Sequence, residues 1–464
     1  MESWFRLSPF AKIGELTIPW IVFIALLAWG WRVYDMFHAI PYYGDVLEVV
    51  WGIAWYGDHL LDGQLFYFPR IFQPEGWQVA VFGYGPGMFI PLLPLYKLGG
   101  AAFAYNAAVL VSFFIAFAGM HNLARRVACP SSGATLASLL FTFWGFRWLR
   151  INGHLNILIG SALLPWMVWC LERGLHSPRK SRRWFVVVGM LWAIASASSF
   201  YFILIGGLVL VGCVAGRFLS HQINWRMALR SGLISTFVAA LLNLPALLFF
   251  VKGNQAAASP FYDIFYLSAH GASLNSIPIP YVFHPWLDSL ARWLYQGPRN
   301  ESGVGNFGFA ASVFALIGLR RAHQDKNALP ALLLTGIGLM LALGFTLKWD
   351  DRPIEWDVLG PVNALVWSLA HRLRPGFFPS GMPPIPFDNA ILMPGLMLAV
   401  LVPFVEGVRV LSRYALVAAI GFFLLVSKEV GRLTLPFARV IVGTLLILQR
   451  KVSRCESRKF GFAV

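Results

Sequence analysis

Apolar runs close to the length of a bilayer crossing recur along almost the whole chain, and clusters of arginine and lysine separate them. A spanning helix needs about 20 mostly apolar residues. Runs of that kind are predicted near residues 17–36, 103–122, 131–148, 155–172, 184–198, 201–217, 230–250, 304–319, 328–347, 388–407, 414–428 and 434–449. The stretch 184–217 is too long for one crossing, and Ser196-Ala197-Ser198-Ser199 at its middle predicts a tight turn between two short spans. Only 12% of the residues are charged and 58% are apolar, against roughly 25% charged in soluble proteins. A water-soluble fold of 464 residues has no interior large enough for that. The expected fold class is all-α, a polytopic membrane protein with about 12 transmembrane helices in one domain over residues 1–464.

The apolar stretch 80–98 departs from the series. Its three prolines and three glycines would break a spanning helix repeatedly, so it is read as in-plane or re-entrant. Charge supports that reading. With residues 80–98 left out of the alternation and the amino terminus cytoplasmic, six basic clusters share one side. They are Arg125-Arg126, Arg173 to Arg183, Arg217 to Arg230, Arg320 to Lys326, Arg409 to Arg413 and Arg450 to Lys459. That side then holds 22 of the 37 Lys/Arg and 6 of the 21 Asp/Glu, which accounts for the whole net charge of +16. Cytoplasmic loops carry such an excess. The basic balance is thus a topology signal and a contact for anionic lipid headgroups, and no nucleic-acid partner is expected. Both termini fall in the cytoplasm, with the first span as an uncleaved signal-anchor. Cys129, Cys170, Cys213 and Cys455 show no metal-binding spacing, so neither a zinc site nor a disulfide scaffold is expected.

Three outer segments are long: residues 37–102, which include surface helices, 251–303 and 348–387. Their Pro, Trp and Tyr content suits packing at the membrane interface, and long loops in compact proteins usually carry function. The spans are nearly free of ionisable groups, which an ion-coupled transporter normally needs at mid-membrane depth. The chemistry is therefore expected at the outer mouth. Asp45 follows the first span directly, and Asp45, Glu48, Gly52 and Trp55 recur at helical spacing, so two carboxylates share a face of a short surface helix. Two readings stand here: a reactive carboxylate at the water boundary, or an Asp that merely caps its helix.

A second polar cluster is FRWLRINGHLN, with Arg147, Arg150 and His154 between two spans. Arginine forks bind phosphate well, yet the same residues would also serve as interface anchors. Arg372 and Arg374, with His371 beside them, offer the same choice in the third long segment, where a headgroup contact is favoured. Asp45 and Glu48 leave a divalent metal open, but no metal site is assigned and no cofactor is required.

These residues resemble a known pattern. Gly44-Asp45, LFYFPRIFQPEGW (65–77), AYN (104–106), LARR (123–126), FRWLRINGHLN (146–156), the ASSFYF turn (197–202) and ESGVGNFGF (301–309) occur in fixed order. The order is similar to that of the GT-C superfamily of integral-membrane glycosyltransferases, on the branch of protein O-mannosyltransferases and lipid A aminoarabinose transferases. It is closer still to large bacterial membrane proteins of that type. The resemblance implies a bacterial inner-membrane enzyme that takes a sugar from a polyprenyl-phosphate donor on the extracytoplasmic face. It further implies Asp45 as the catalytic carboxylate and a groove for the polyprenyl chain. Glu48, Arg147, Arg150, His154, Arg372 and Arg374 are the candidate substrate-binding residues. The family's acidic pair at the loop start reads Asp45-Val46 here. That difference motivates a second reading, a non-catalytic member of the fold acting as a scaffold or accessory subunit with membrane-protein partners.

Overall fold

The computed structural model describes residues 9–30, 35–41, 45–59, 67–68, 77–78, 86–256, 263–279, 288–297, 307–322, 325–402, 405 and 410–432. Helix α1 (Pro9–Gly30) leads to α2 (Val46–His59), a two-residue pairing of β1 (Tyr67–Phe68) with β2 (Trp77–Gln78), and α3 (Pro86–Phe89). Then come α4 (Leu93–Arg126), α5 (Ser131–Thr142), α6 (Gly145–Leu149), α7 (Leu155–Leu175), α8 (Ser181–Ser198), α9 (Tyr201–Leu219) and α10 (Trp225–Ala256). The rest comprises α11 (Ile264–Ala269), α12 (Asp288–Leu294), α13 (Phe309–Ala322), α14 (Leu329–Ala342), the hairpin β3 (Lys348–Trp349) and β4 (Arg352–Pro353), α15 (Gly360–Leu373), α16 (Pro394–Leu401) and α17 (Ala415–Arg432). Five helical stretches among the described residues are long and apolar enough to cross a membrane: 87–126, 155–175, 201–219, 225–245 and 411–431. Two shorter apolar helices, 19–28 and 329–342, accompany them. The chain is a multi-pass membrane protein.

Helix α17 lies at the centre. Its residues from Ala415 to Val426 are buried on every side, as expected of a helix apolar all round. Helices α5, α13 and α14 pack against it. Small residues permit the close approaches: a Cβ at Gly338 would strike the backbone of Ala418, and one at Gly421 the carbonyl of Ala331. By contrast, α10 turns Leu233, Phe237, Leu241 and Leu248 outward, a face suited to lipid.

The stretch from α3 into α4 keeps to one end of this bundle. Gly87 touches Ala197, at the end of α8, and Phe89 and Tyr96 lie over Gly52 and Gly57 of α2. At Gly100 the backbone turns left-handed, with φ +78°, a conformation that costs glycine little. A few residues later, Tyr105 reaches the α6–α7 turn through the carbonyl of Ile151. Residues 87 and 105 are thus at the same end, and only the part of α4 beyond Gly100 runs the length of the bundle. That end, where Ser198 Oγ also donates to the carbonyl of Asn156 at 3.2 Å, is called the mouth below. The expected break between 184–198 and 201–217 is present, with Ser199 and Phe200 between α8 and α9.

The expected spans 304–319 and 328–347 are met by helices of only 14 residues each, α13 and α14, and three others differ in course. Residues 131–148 form two helices, α5 and α6, parted at Phe143-Trp144. Of the expected span 388–407, the described residues 388–402 do not form a crossing helix. Ile391 and Met393 exchange backbone hydrogen bonds with Leu347, Ile354 and Phe345, which commits the first part to extended pairing. The eight residues of α16 then extend only about 12 Å, against about 30 Å of hydrocarbon.

The third difference follows from the second: α17 runs opposite to the expected direction. Ser412 N donates to His270 O at 3.0 Å, and the Arg413 guanidinium lies 4.4 Å over the ring of Tyr201, the first residue of α9. At the far end Lys428 Nζ is 2.9 Å from Asp325 Oδ2, and Arg321 Nη1 is 2.7 Å from Glu429 Oε2. Arg413 therefore belongs to the mouth, not to the side of Arg217 and Arg320 where the alternation puts it. The expected span 434–449 lies outside the described residues.

Candidate active site at the mouth of the bundle

Asp45 sits immediately before α2 and starts it: its carbonyl accepts from Val49 N at 3.2 Å. The apolar residues Val46, Val49 and Ile53 are buried, and they fix the helix against α4 while Asp45 and Glu48 stay exposed. Trp55 and Gly52, on the carboxylate side by spacing, are buried too. The acidic face therefore covers only the first turn.

Two neighbouring residues of α4 hold what surrounds Asp45. Asn106, fully buried, donates through Nδ2 to the carbonyls of Met36 and Ala39 at 3.0 and 2.8 Å, fastening the segment that leads from α1 toward Asp45. Within that segment His38 Nδ1 lies 2.9 Å from Asp35 Oδ2, and this contact holds the Asp35 carboxyl below its ordinary value. Tyr105 donates to Ile151 O and accepts from Gly153 N at 3.2 Å, which fixes the turn between α6 and α7. Gly153 adopts φ +100°, and a Cβ there would come within 2.6–2.7 Å of the Asp45 backbone. The turn can press against Asp45 only because residue 153 has no side chain.

That contact brings together two of the candidate residues. His154 Nε2 lies 3.9 Å from Asp45 Oδ2, with the carboxylate side chain 53% exposed and the imidazole 22%. Arg150, in the same turn, is 3% exposed, and its guanidinium lies 4.6 Å over Phe146.

The other candidates are distributed differently. Arg147 is fully buried among α4, α6 and α7. It donates to the carbonyls of Leu158 and Ser112, each at 3.2 Å, and to Ser161 Oγ. These bonds make it a strut of the bundle rather than a free phosphate fork. Arg374 Nη1 donates to the carbonyl of Ala399 at 2.6 Å, near the end of α16, where unsatisfied carbonyls favour cations. Arg372 is exposed on α15.

Three residues of the mouth have no role assigned from the sequence. Tyr105 and Asn106 stand in the AYN motif as two adjacent polar groups within the apolar run 98–120, where Ser112 is the only other polar side chain, and that is the signal that marks them. Arg413 is hidden by the inverted reading of α17. No group of three or more His, Cys, Asp or Glu gathers as metal ligands among the described residues.

No protein-family model matches the chain, and no curated protein sequence matches it. Solved structures do. The oligosaccharyltransferase of Archaeoglobus fulgidus in its apo form superposes over 100% of this chain at TM-score 0.52 and 12% identity. The oligosaccharyltransferase AglB of that organism, in complex with an inhibitory peptide and a dolichol-phosphate, superposes over 98% at TM-score 0.50 and 12% identity. The chain has a GT-C-like fold. It spans 57% of the length of both oligosaccharyltransferase chains. ArnT from Cupriavidus metallidurans in the apo state matches at TM-score 0.44 and 14% identity, over 96% of this chain and 77% of that one. In the GT-C-like chain the acidic helix and the histidine turn open on the same end of the bundle, and Arg413 shares that end.

Proposed function

We propose that this protein is a membrane glycosyltransferase that moves a sugar from a polyprenyl-phosphate donor to an acceptor at the extracytoplasmic mouth. The observation that carries the proposal is the exposed carboxylate of Asp45, held at 3.9 Å from His154 by the side-chain-free contact at Gly153. In this reading Asp45 accepts the proton of the acceptor hydroxyl as that oxygen attacks the anomeric carbon. The bond from that carbon to the lipid-phosphate oxygen breaks, and the phosphate leaves with the electron pair. One displacement inverts the anomeric centre. Arg150 and Arg413 supply positive charge for the departing phosphate, and His154 orients Asp45 or the phosphate. Arg372 meets lipid headgroups beside the site. A dolichol-phosphate occupies the AglB structure that shares the fold, which supports a lipid-phosphate donor.

The test is Asp45→Asn in membranes supplied with a panel of synthetic polyprenyl-phosphate sugars. Transfer should fall by about a hundredfold or more, within the range of general-base catalysis, at an unchanged protein level. Full transfer by the variant would remove Asp45 as the base.

A further inference from the structure

Helix α15 wears its polarity inside out. Its inner face carries Asn363, 3% exposed, whose Nδ2 donates to the carbonyls of Phe387 and Ala390 at 2.8 Å each. On the same face Trp367 Nε1 donates to Pro379 O at 3.0 Å. This side is complete. The opposite stripe consists of Val362, Leu365, Leu369 and Leu373, at spacings of three and four residues, and all four are more than half exposed, Leu365 most of all at 72%. Such spacing places them along one line of the helix surface.

We propose that α15 lies in the plane of the membrane with this stripe immersed among the acyl chains of the leaflet at the mouth. Three observations select lipid as the occupant. The stripe continues onto a second exposed apolar surface: the Arg374 bond to Ala399 ties the end of α15 to the apolar helix α16, whose Leu401 is 72% exposed. Helix α16 in turn packs on α14, with Gly395 against the carbonyl of Gly344. Charge is complementary, since Arg372 borders the stripe on its exposed flank and can pair with an anionic headgroup. Trp356, just before the helix and 62% exposed, is the residue type enriched at the membrane–water boundary. A helix with an apolar line, a basic border and an interfacial tryptophan meets the description of an in-plane membrane helix.

The experiment is site-directed spin labelling of the full chain in vesicles of phosphatidylethanolamine and phosphatidylglycerol, in a Cys455→Ser background. The other three cysteines are buried. Labels placed by Leu365→Cys and Leu369→Cys should collide more often with molecular oxygen, which concentrates in the bilayer, than with a water-soluble nickel chelate. Ser368→Cys, on the polar flank, should show the reverse order. Val362→Cys and Leu373→Cys give two further positions on the same line, so that the pattern survives the loss of any one variant. Nickel contact dominating along the stripe would mean that it faces water. Exclusion of both probes would mean that protein covers it. Either result overturns the proposal, and neither bears on Asp45, so the outcome is separable from the proposed transfer reaction.

Discussion

At the residue scale, one missing side chain does as much for the site as the charged groups. Gly153 combines a left-handed backbone with a contact to the Asp45 backbone that no Cβ could share. Gly153→Ala should cost roughly 1–3 kcal/mol from backbone strain alone, and displace Asp45 from His154. The expected result is a lower midpoint of thermal unfolding in detergent together with loss of transfer. Gly336 is the control, since a Cβ there meets nothing within 4 Å. In the middle of α14, Gly336→Ala should leave stability unchanged or raise it by about 0.5–1 kcal/mol. Asn106 and Tyr105 act with Gly153. Each holds one of the two chain segments that meet at the carboxylate, which neither residue touches in the contacts described above.

At the scale of elements, the end of the bundle away from the mouth is closed by buried charge. Glu172 of α7 receives two hydrogen bonds from Arg217 of α9, at 2.9 and 2.7 Å, with both side chains at most 3% exposed. Arg217 also binds Gln222, and Asn327 just before α14 at 2.8 Å. Three helices are thereby tied at one point. Removing one partner leaves an uncompensated buried charge. Glu172→Ala is therefore expected to destabilise the protein by roughly 3–5 kcal/mol, while Glu172→Leu with Arg217→Met recovers much of that loss. Denaturation in a fixed detergent, comparing the single and double variants, measures both. The pair is intelligible from sequence only once α7 and α9 are known to be neighbours, because its members are 45 residues apart.

For the whole molecule the deciding matter is threading. Hydropathy alternation puts Tyr201 and Arg413 on opposite faces, separated by about 30 Å of hydrocarbon, whereas the fold stacks them at 4.4 Å. Tyr201→Cys with Arg413→Cys should accordingly be joined by a short bifunctional thiosulfonate reagent, read as a shift after proteolysis between the two positions. Absence of the cross-link, with both cysteines reactive, would restore the alternation read from the sequence. What the sequence determined alone is what depends on local composition: a helical membrane protein, the pause between α8 and α9, the part of the proline- and glycine-broken stretch from Pro86 to Leu98 that stays at one end, and an acidic first turn on α2. These follow from transfer free energy and backbone stereochemistry, which act over a few residues at a time. Only the tertiary structure decided the direction of α17, the withdrawal of Arg147 into the bundle, and the meeting of Asp45 with His154. Hydropathy records that residues 388–407 are mostly apolar, but not that the backbone of residues 389–393 pairs with residues 345–356 instead of closing on itself as part of a spanning helix. That choice belongs to partners distant in the chain, and a helix that fails to cross reverses every span after it.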